Sequence, residues 1–251
     1  MAAGVIYYPI RLDETGSDIS PSTVYVKTGS TLAGLYDAGY DCTAWTTTTG
    51  NQRMGYADSG TQIWSSYATT ACTAASRLYC FGIDYNNPLV APTGTGRIAF
   101  VSSAAFISGT GLAGADTVCQ NNATAAGLTG TFKALLATNG ATAASRFATG
   151  EPWVRLDGVA VVDAWTDLAA NMLLAPINVQ ADGTTYLGNY GLWLGAAGFA
   201  TAGSAATTCN SWASSAGADT ASAGTVARSY YGSTTARGCD STGYRVYCLE
   251  E

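Results

Sequence analysis

Seven cysteines, a cluster of four acids and a scatter of aromatics are the residues of this 251-residue chain whose types and spacing could do chemistry. The cysteines are Cys42, Cys72, Cys80, Cys119, Cys209, Cys239 and Cys248. Disulfides, buried thiols and a metal site are the three uses open to them. Four-thiolate zinc sites draw on close C-x2–4-C pairs, and no such pair occurs here, so no metal ligand is expected. Histidine is absent, which removes Ser-His-Asp and Cys-His catalysis, two-His zinc sites and neutral-pH histidine switches. Glu151, Asp157, Asp163 and Asp167 lie close together in sequence. Carboxylates so grouped could hold calcium, or hydrolyse glycosides if one had a raised pKa and the separation were right. But Asp157 sits in an Asp-Gly turn, and the others flank strand-like runs where solvated acids are ordinary. A calcium cofactor and a carboxylate-based glycoside hydrolase are therefore minor readings, and neither a cofactor nor a catalytic residue is expected. Tyr186, Asn189, Tyr190, Trp193, Tyr230 and Tyr231 lie among Gly, Asn and Ser, the composition of adaptable recognition loops. Aromatic faces with polar tips stack on sugars or anchor protein interfaces. These six are the candidate ligand-binding residues; for Trp193 the competing reading is the core.

The elements that would position these residues come in a broken repeat. CTAW at 42–45 and CNSW at 209–212 are each followed, thirty positions after the cysteine, by another cysteine, and then by RLYCF (77–81) or RVYCL (245–249). Upstream, YPIRLDETG (8–16) faces APINVQADG (175–183), with proline, isoleucine and glycine in step. Trp45 and Trp212 recur together and read as frame. Arg77 and Arg245 also recur, and a structural pairing with a carboxylate is expected. The segment 96–171 has no counterpart before the first copy. It opens with a strand-like RIAFVSS (97–103). GLAGADTVCQNNATAAGL (111–128) places Leu112, Ala115, Cys119, Ala123 and Ala126 on one helical face. FKALLAT (132–138) reads as a buried strand and EPWVRLDGVAVVDAW (151–165) as a hairpin turning at Asp157-Gly158. Prolines and glycines cluster at 88–96, the expected boundary. Asn122-Ala123-Thr124 matches an N-glycosylation pattern but falls on the helix, where chance explains it better.

Composition narrows the class. Charged residues are 11% of the chain and the net charge is −6, without the basic cluster a nucleic-acid binder needs. No apolar run approaches a spanning helix, so no membrane insertion is expected. The opening MAAGVIYYPIR lacks the basic start and long apolar core of a signal peptide. Low charge, many small residues and many aromatics suit a compact, loop-rich β structure.

FVSSAAFISGTGLAGADTVCQ, TFKALLA, ATAASRF, EPWVRLDG, AWTDL, CNSW and RVYCLE, in that order over about 97–251, resemble a bacterial lectin-like domain of uncharacterised function related to the C-type lectin and endostatin folds. Residues 1–85 resemble only its C-terminal half. The resemblance implies an α+β chain: a half-repeat over 1–90, then a complete C-type-lectin-like domain over 91–251. Short antiparallel strands, long loops and one or two helices are implied, stapled by disulfides. It also implies the pairs Cys119–Cys248, Cys209–Cys239 and, by the same logic, Cys42–Cys72. Such bridges would contribute about 3–4 kcal/mol for the thirty-residue loops and about 5 for the longer one, and they place the protein in an oxidising compartment, secreted or at the cell surface. Cys80 then matches Cys248 without a helix cysteine to meet it, and is expected as a free or interchain thiol. The implied function is non-catalytic recognition or adhesion, with a glycan or a cell-surface or matrix protein as partner. The alternative is a structural subunit or tip of a surface fibre or coat, with self-association into a homo-oligomer. Sugar-binding C-type lectins hold calcium through E-P-N and W-N-D; here EPW (151–153) and WTD (165–167) depart from that pattern, which argues against calcium-dependent sugar binding.

Overall fold

The computed structural model describes residues 6–19, 24–84, 93–187, 191–231 and 234–251. The chain forms two compact units, Met1–Pro92 and Thr93–Glu251. The class is α+β, with short strands in small sheets and one regular helix among the described residues. In the first unit β1 (Tyr25–Lys27), β2 (Asn51–Tyr56), β3 (Ala68–Ala71) and β4 (Arg77–Leu78) order as β3-β2-β1-β4, with β4 parallel to β1 at the edge.

The second unit carries β5 (Arg97–Val101), β6 (Phe132–Ala134), β7 (Trp153–Arg155), β8 (Gly191–Trp193), β9 (Thr220–Thr225), β10 (Thr235–Gly238) and β11 (Tyr247–Glu250). One sheet orders β6-β11-β5-β7 and the other β10-β9-β8. Tyr247, Cys248 and Leu249 are all buried, as a strand covered on both faces requires.

The helix spans Gly111–Ala125 and buries Ala115, Cys119 and Ala123, one every fourth residue. Small side chains there let it lie close against β6 and β11, and the Cys119–Cys248 disulfide joins it to the central strand. It stops where Leu128 N–H reaches the Ala123 carbonyl and Gly127 N–H that of Thr124, 2.9 and 3.0 Å. Gly127 takes φ +74° there, a left-handed closure that glycine adopts without the Cβ penalty. The helix also closes the outer edge of β6. Asp116 Oδ1 accepts from Ala134 N–H at 2.9 Å and Gln120 Oε1 from Phe132 N–H at 3.0 Å. Two side chains thereby do what another strand would do. Asn122 Oδ1 accepts from Ser103 N–H at 2.7 Å, so the glycosylation-like asparagine is a structural brace.

Strand pairing covers less of 132–138 than its composition suggests. Beyond Ala134 the chain stays buried but changes sheets: Leu135 N–H donates to Tyr247 and Ala137 N–H to Leu194. The hairpin after β7 turns where expected, with Gly158 N–H on the Arg155 carbonyl at 2.9 Å and Gly158 at φ +80°. Arg155 is only 1% exposed. Its guanidinium takes Asp157 at 2.5–3.0 Å, the Pro176 carbonyl at 3.0 Å and Asn178 Oδ1 at 2.8 Å, pinning the hairpin to the 175–183 turn.

The two units repeat one another in register. Leu12 bridges Asp18 as Val179 bridges Thr185. Val26 pairs with Gly55 and Arg77, as Leu192 pairs with Gly224 and Arg245. Cys42–Cys72 and Cys209–Cys239 close equivalent loops. β5, the helix and β6 have no equivalents among the described residues of the first unit. Cys80 is free and exposed.

Candidate functional site

Local backbone chemistry fixes the two C-x-x-W motifs first. Cys42, Thr43, Ala44 and Trp45 all have positive φ (52, 53, 53 and 65°), and so do Cys209, Asn210, Ser211 and Trp212 (47, 52, 55 and 68°). Each is a left-handed helical turn without glycine, at a cost of roughly 1–2 kcal/mol per residue. A disulfide holds the first residue, and a side-chain acceptor just before it holds the third. Asp41 Oδ2 accepts from Ala44 N–H and Thr208 Oγ1 from Ser211 N–H, both at 2.9 Å. Hydrogen bonding to the ionised form, chiefly from Ala44, lowers the Asp41 pKa. The turn in the second unit delivers Trp212 into the core, where its Nε1 donates to the Ala137 carbonyl at 2.9 Å. In the first unit Trp45 stays 49% exposed.

The aromatic candidates separate. Trp193 is fully buried, stacked on Tyr244 at 4.4 Å, edge-on to Trp212 at 5.7 Å, with its Nε1 on the Phe106 carbonyl. Tyr231 packs against Phe199 and Tyr247, and its hydroxyl donates to the Arg228 carbonyl at 2.8 Å. Tyr186 lies beneath the Arg245 guanidinium, 4.1 Å from ring centre to cation, and is 8% exposed. All three of these ligand-binding candidates are buried, with their faces taken up by packing, because a small two-sheet unit needs its large rings to fill the interior. Tyr230 is half-buried and bridges Met172. Asn189 and Tyr190 lie outside the described residues. Arg245 donates to the carbonyls of Ser102 and Ser103 at the end of β5, where a carboxylate was expected.

The four acids do not converge. Asp157 pairs with Arg155 and Asp167 Oδ2 accepts from Ala164 N–H at 3.0 Å, while Glu151 and Asp163 are exposed. Among the described residues no three or more Cys, Asp or Glu side chains are grouped to hold a metal ion, and no helix is long and apolar enough to cross a membrane.

A recess that composition did not single out lies beside these acids. It encloses about 430 Å³ and is lined by Trp165, Leu168, Ala144 and Ala200, with Thr142, Ser145 and Thr166 around them. Trp165 is half-buried, one side on the core and the other toward the recess. Its wall is set by local bonds: Thr142 Oγ1 accepts from Ser145 N–H at 3.1 Å, and Ala144 N–H donates to the Phe199 carbonyl at 2.8 Å. An aromatic flank with hydroxyls nearby can take a sugar ring or an apolar side chain with a polar end. The one signal for it in the sequence is the tryptophan of AWTDL (164–168), a large ring among small and polar neighbours. No family model matches the chain, and no curated protein matches it.

Proposed function

We propose that residues 93–251 are a C-type-lectin-like recognition module, secreted or displayed at a cell surface, that binds a glycan or a surface or matrix protein without catalysis. The recess at Trp165 is the observation that carries this reading: a half-exposed indole in a shallow apolar hollow edged by three hydroxyl residues. The resemblance in ordered motifs over about 97–251 supports the fold assignment. Three disulfides are compatible with an oxidising compartment. Asp157 and Asp167 already serve an ion pair and a backbone cap, which favours binding over acid–base chemistry.

A glycan array run beside a panel of matrix proteins tests the reading on the whole chain. At least one ligand should bind wild type and lose about tenfold or more in affinity with Trp165→Ala, as removal of an aromatic anchor does, measured at a temperature where circular dichroism shows both forms folded. Ligands that bind both forms equally, or none on either surface, would refute it.

A further inference from the structure

The chemistry of the Trp165 recess narrows what can occupy it. A sugar ring presents several hydroxyls, each a donor and an acceptor at once. Orienting one takes polar side chains that serve both roles in fixed geometry, such as amides, carboxylates or guanidinium groups. The recess lining has none of these. Its polar members are three hydroxyl residues, and two of them already hold each other's backbone. Thr142 Oγ1 accepts from Ser145 N–H at 3.1 Å, and Ser145 Oγ donates to the Thr142 carbonyl at 2.8 Å. The third, Thr166, is exposed. What remains is the Trp165 indole with leucine and alanine methyl groups. A sugar lowered onto such a wall loses water from hydroxyls that gain few partners, whereas an apolar side chain has no such loss.

The uncompensated charges next to this wall have one sign. Arg146 follows Ser145 in the chain, but its guanidinium takes both carboxylate oxygens of Asp116, at 3.0 and 2.7 Å, and donates to the Ala134 carbonyl. Asp163 and Asp167 stand two residues to either side of Trp165, within about 7 Å of it along the chain. Asp167 uses one oxygen on Ala164 N–H at 3.0 Å, and Asp163 is exposed. Neither forms an ion pair among the described residues. Two carboxylates within a Debye length of an uncharged hollow draw a cationic group to its rim.

Resting on the reading of this recess as a recognition site, we propose that its ligand is a protein segment and not a glycan. The segment places an aliphatic or aromatic side chain against Trp165 and carries Lys or Arg within a residue or two of that anchor. The anchor is desolvated on the indole and the methyl groups, while the basic neighbours stay at the wet rim beside Asp163 and Asp167. This is the usual division of labour in an interface, with an apolar centre supplying affinity and charges around it supplying selectivity.

The test offers the whole chain, disulfides intact, to a phage library of random peptides, which carries no sugar, and to a glycan array, which carries no peptide. Enriched peptides should hold a large apolar residue beside Lys or Arg. The leading one, synthesised, should lose about tenfold or more in affinity with Trp165→Ala and about threefold or more with the near-isosteric Asp163→Asn, at a temperature where circular dichroism shows every form folded. Raising salt from about 50 to about 300 mM should weaken it in the same direction. A glycan bound in a Trp165-dependent way would overturn the inference and leave the recognition reading standing. So would acidic peptides, a peptide indifferent to Asp163→Asn, or a library that yields no Trp165-dependent peptide beside a glycan that is one. Ligands of both kinds that ignore Trp165, or none of either kind, would remove the recognition reading and this inference together.

Discussion

At the scale of single residues, three side chains carry outcomes that can be checked. Arg155→Ala should destabilise the second unit by about 3 kcal/mol, roughly a 10 °C fall in melting temperature, because it strands Asn178 and the Pro176 carbonyl and unpairs Asp157. Differential scanning calorimetry reads this directly. Ala44→Gly should act in the opposite sense. Ala44 is exposed at φ 53°, so glycine removes a left-handed penalty of about 1 kcal/mol at little packing loss, and the first unit should melt higher. The third outcome is a pH effect confined to one of two equivalent turns. Asp41 has a pKa lowered from 3.8, mainly by the Ala44 N–H. Its stabilisation is complete above the unfolded value and is lost as pH falls through the lower folded value. Protection of the Ala44 amide, relative to its intrinsic exchange rate, should fall as pH drops below the ordinary carboxylate value of 3.8, while that of Ser211, capped by the neutral Thr208 hydroxyl, should not change in step. The recurrence of C-x-x-W was legible as frame. Its left-handed backbone was not, because Thr, Ala and Ser carry no signal for positive φ. Nor could composition separate a ring in a loop from a ring in the core. Tyr186 and Trp193 sit among polar neighbours in sequence and among apolar ones in space.

At the scale of elements, the helix is the part most plainly written in the chain. A residue of small volume every fourth position, closed by Gly127, leaves one arrangement for 111–128, and the Asp-Gly pair likewise fixes the hairpin after β7. The segment 132–138 was harder. Its apolar run satisfies a strand or any buried path equally well, and the crossing from β11 to β8 depends on residues distant in sequence. The helix should also show how stability divides between bridge and packing. Replacing Cys119 and Cys248 together by alanine should cost about 4–5 kcal/mol in urea unfolding, against about 3–4 for Cys42 and Cys72. Equal costs would mean that loop length does not set the contribution of these bridges.

For the whole molecule, the broken repeat was legible because cysteine and tryptophan spacings are hard to match by chance, even in a chain rich in Ala, Ser and Thr. The state of Cys80 was only half legible: its lack of a match shows in the cysteine spacing, but its exposure depends on how residues distant in sequence pack around it. Under denaturing, non-reducing conditions one thiol per chain should react with a labelling reagent, and mass spectrometry should place it at Cys80. Two or more labels per chain would contradict the three bridges. EDTA should leave the melting temperature unchanged, given the absence of grouped ligands among the described residues; a fall of several degrees would reveal a bound cation. The bridge separations of 30, 129 and 30 residues also set an order of events on the ribosome. Cys42 and Cys209 each wait for a short stretch before the right partner emerges. Cys119 waits for 129 residues, roughly 6–26 seconds of synthesis, while the unpaired Cys80 has already been made. Over that interval the nearest available sulfur is the wrong one, so a Cys80–Cys119 crosslink is the trap that a nascent chain must avoid or later undo.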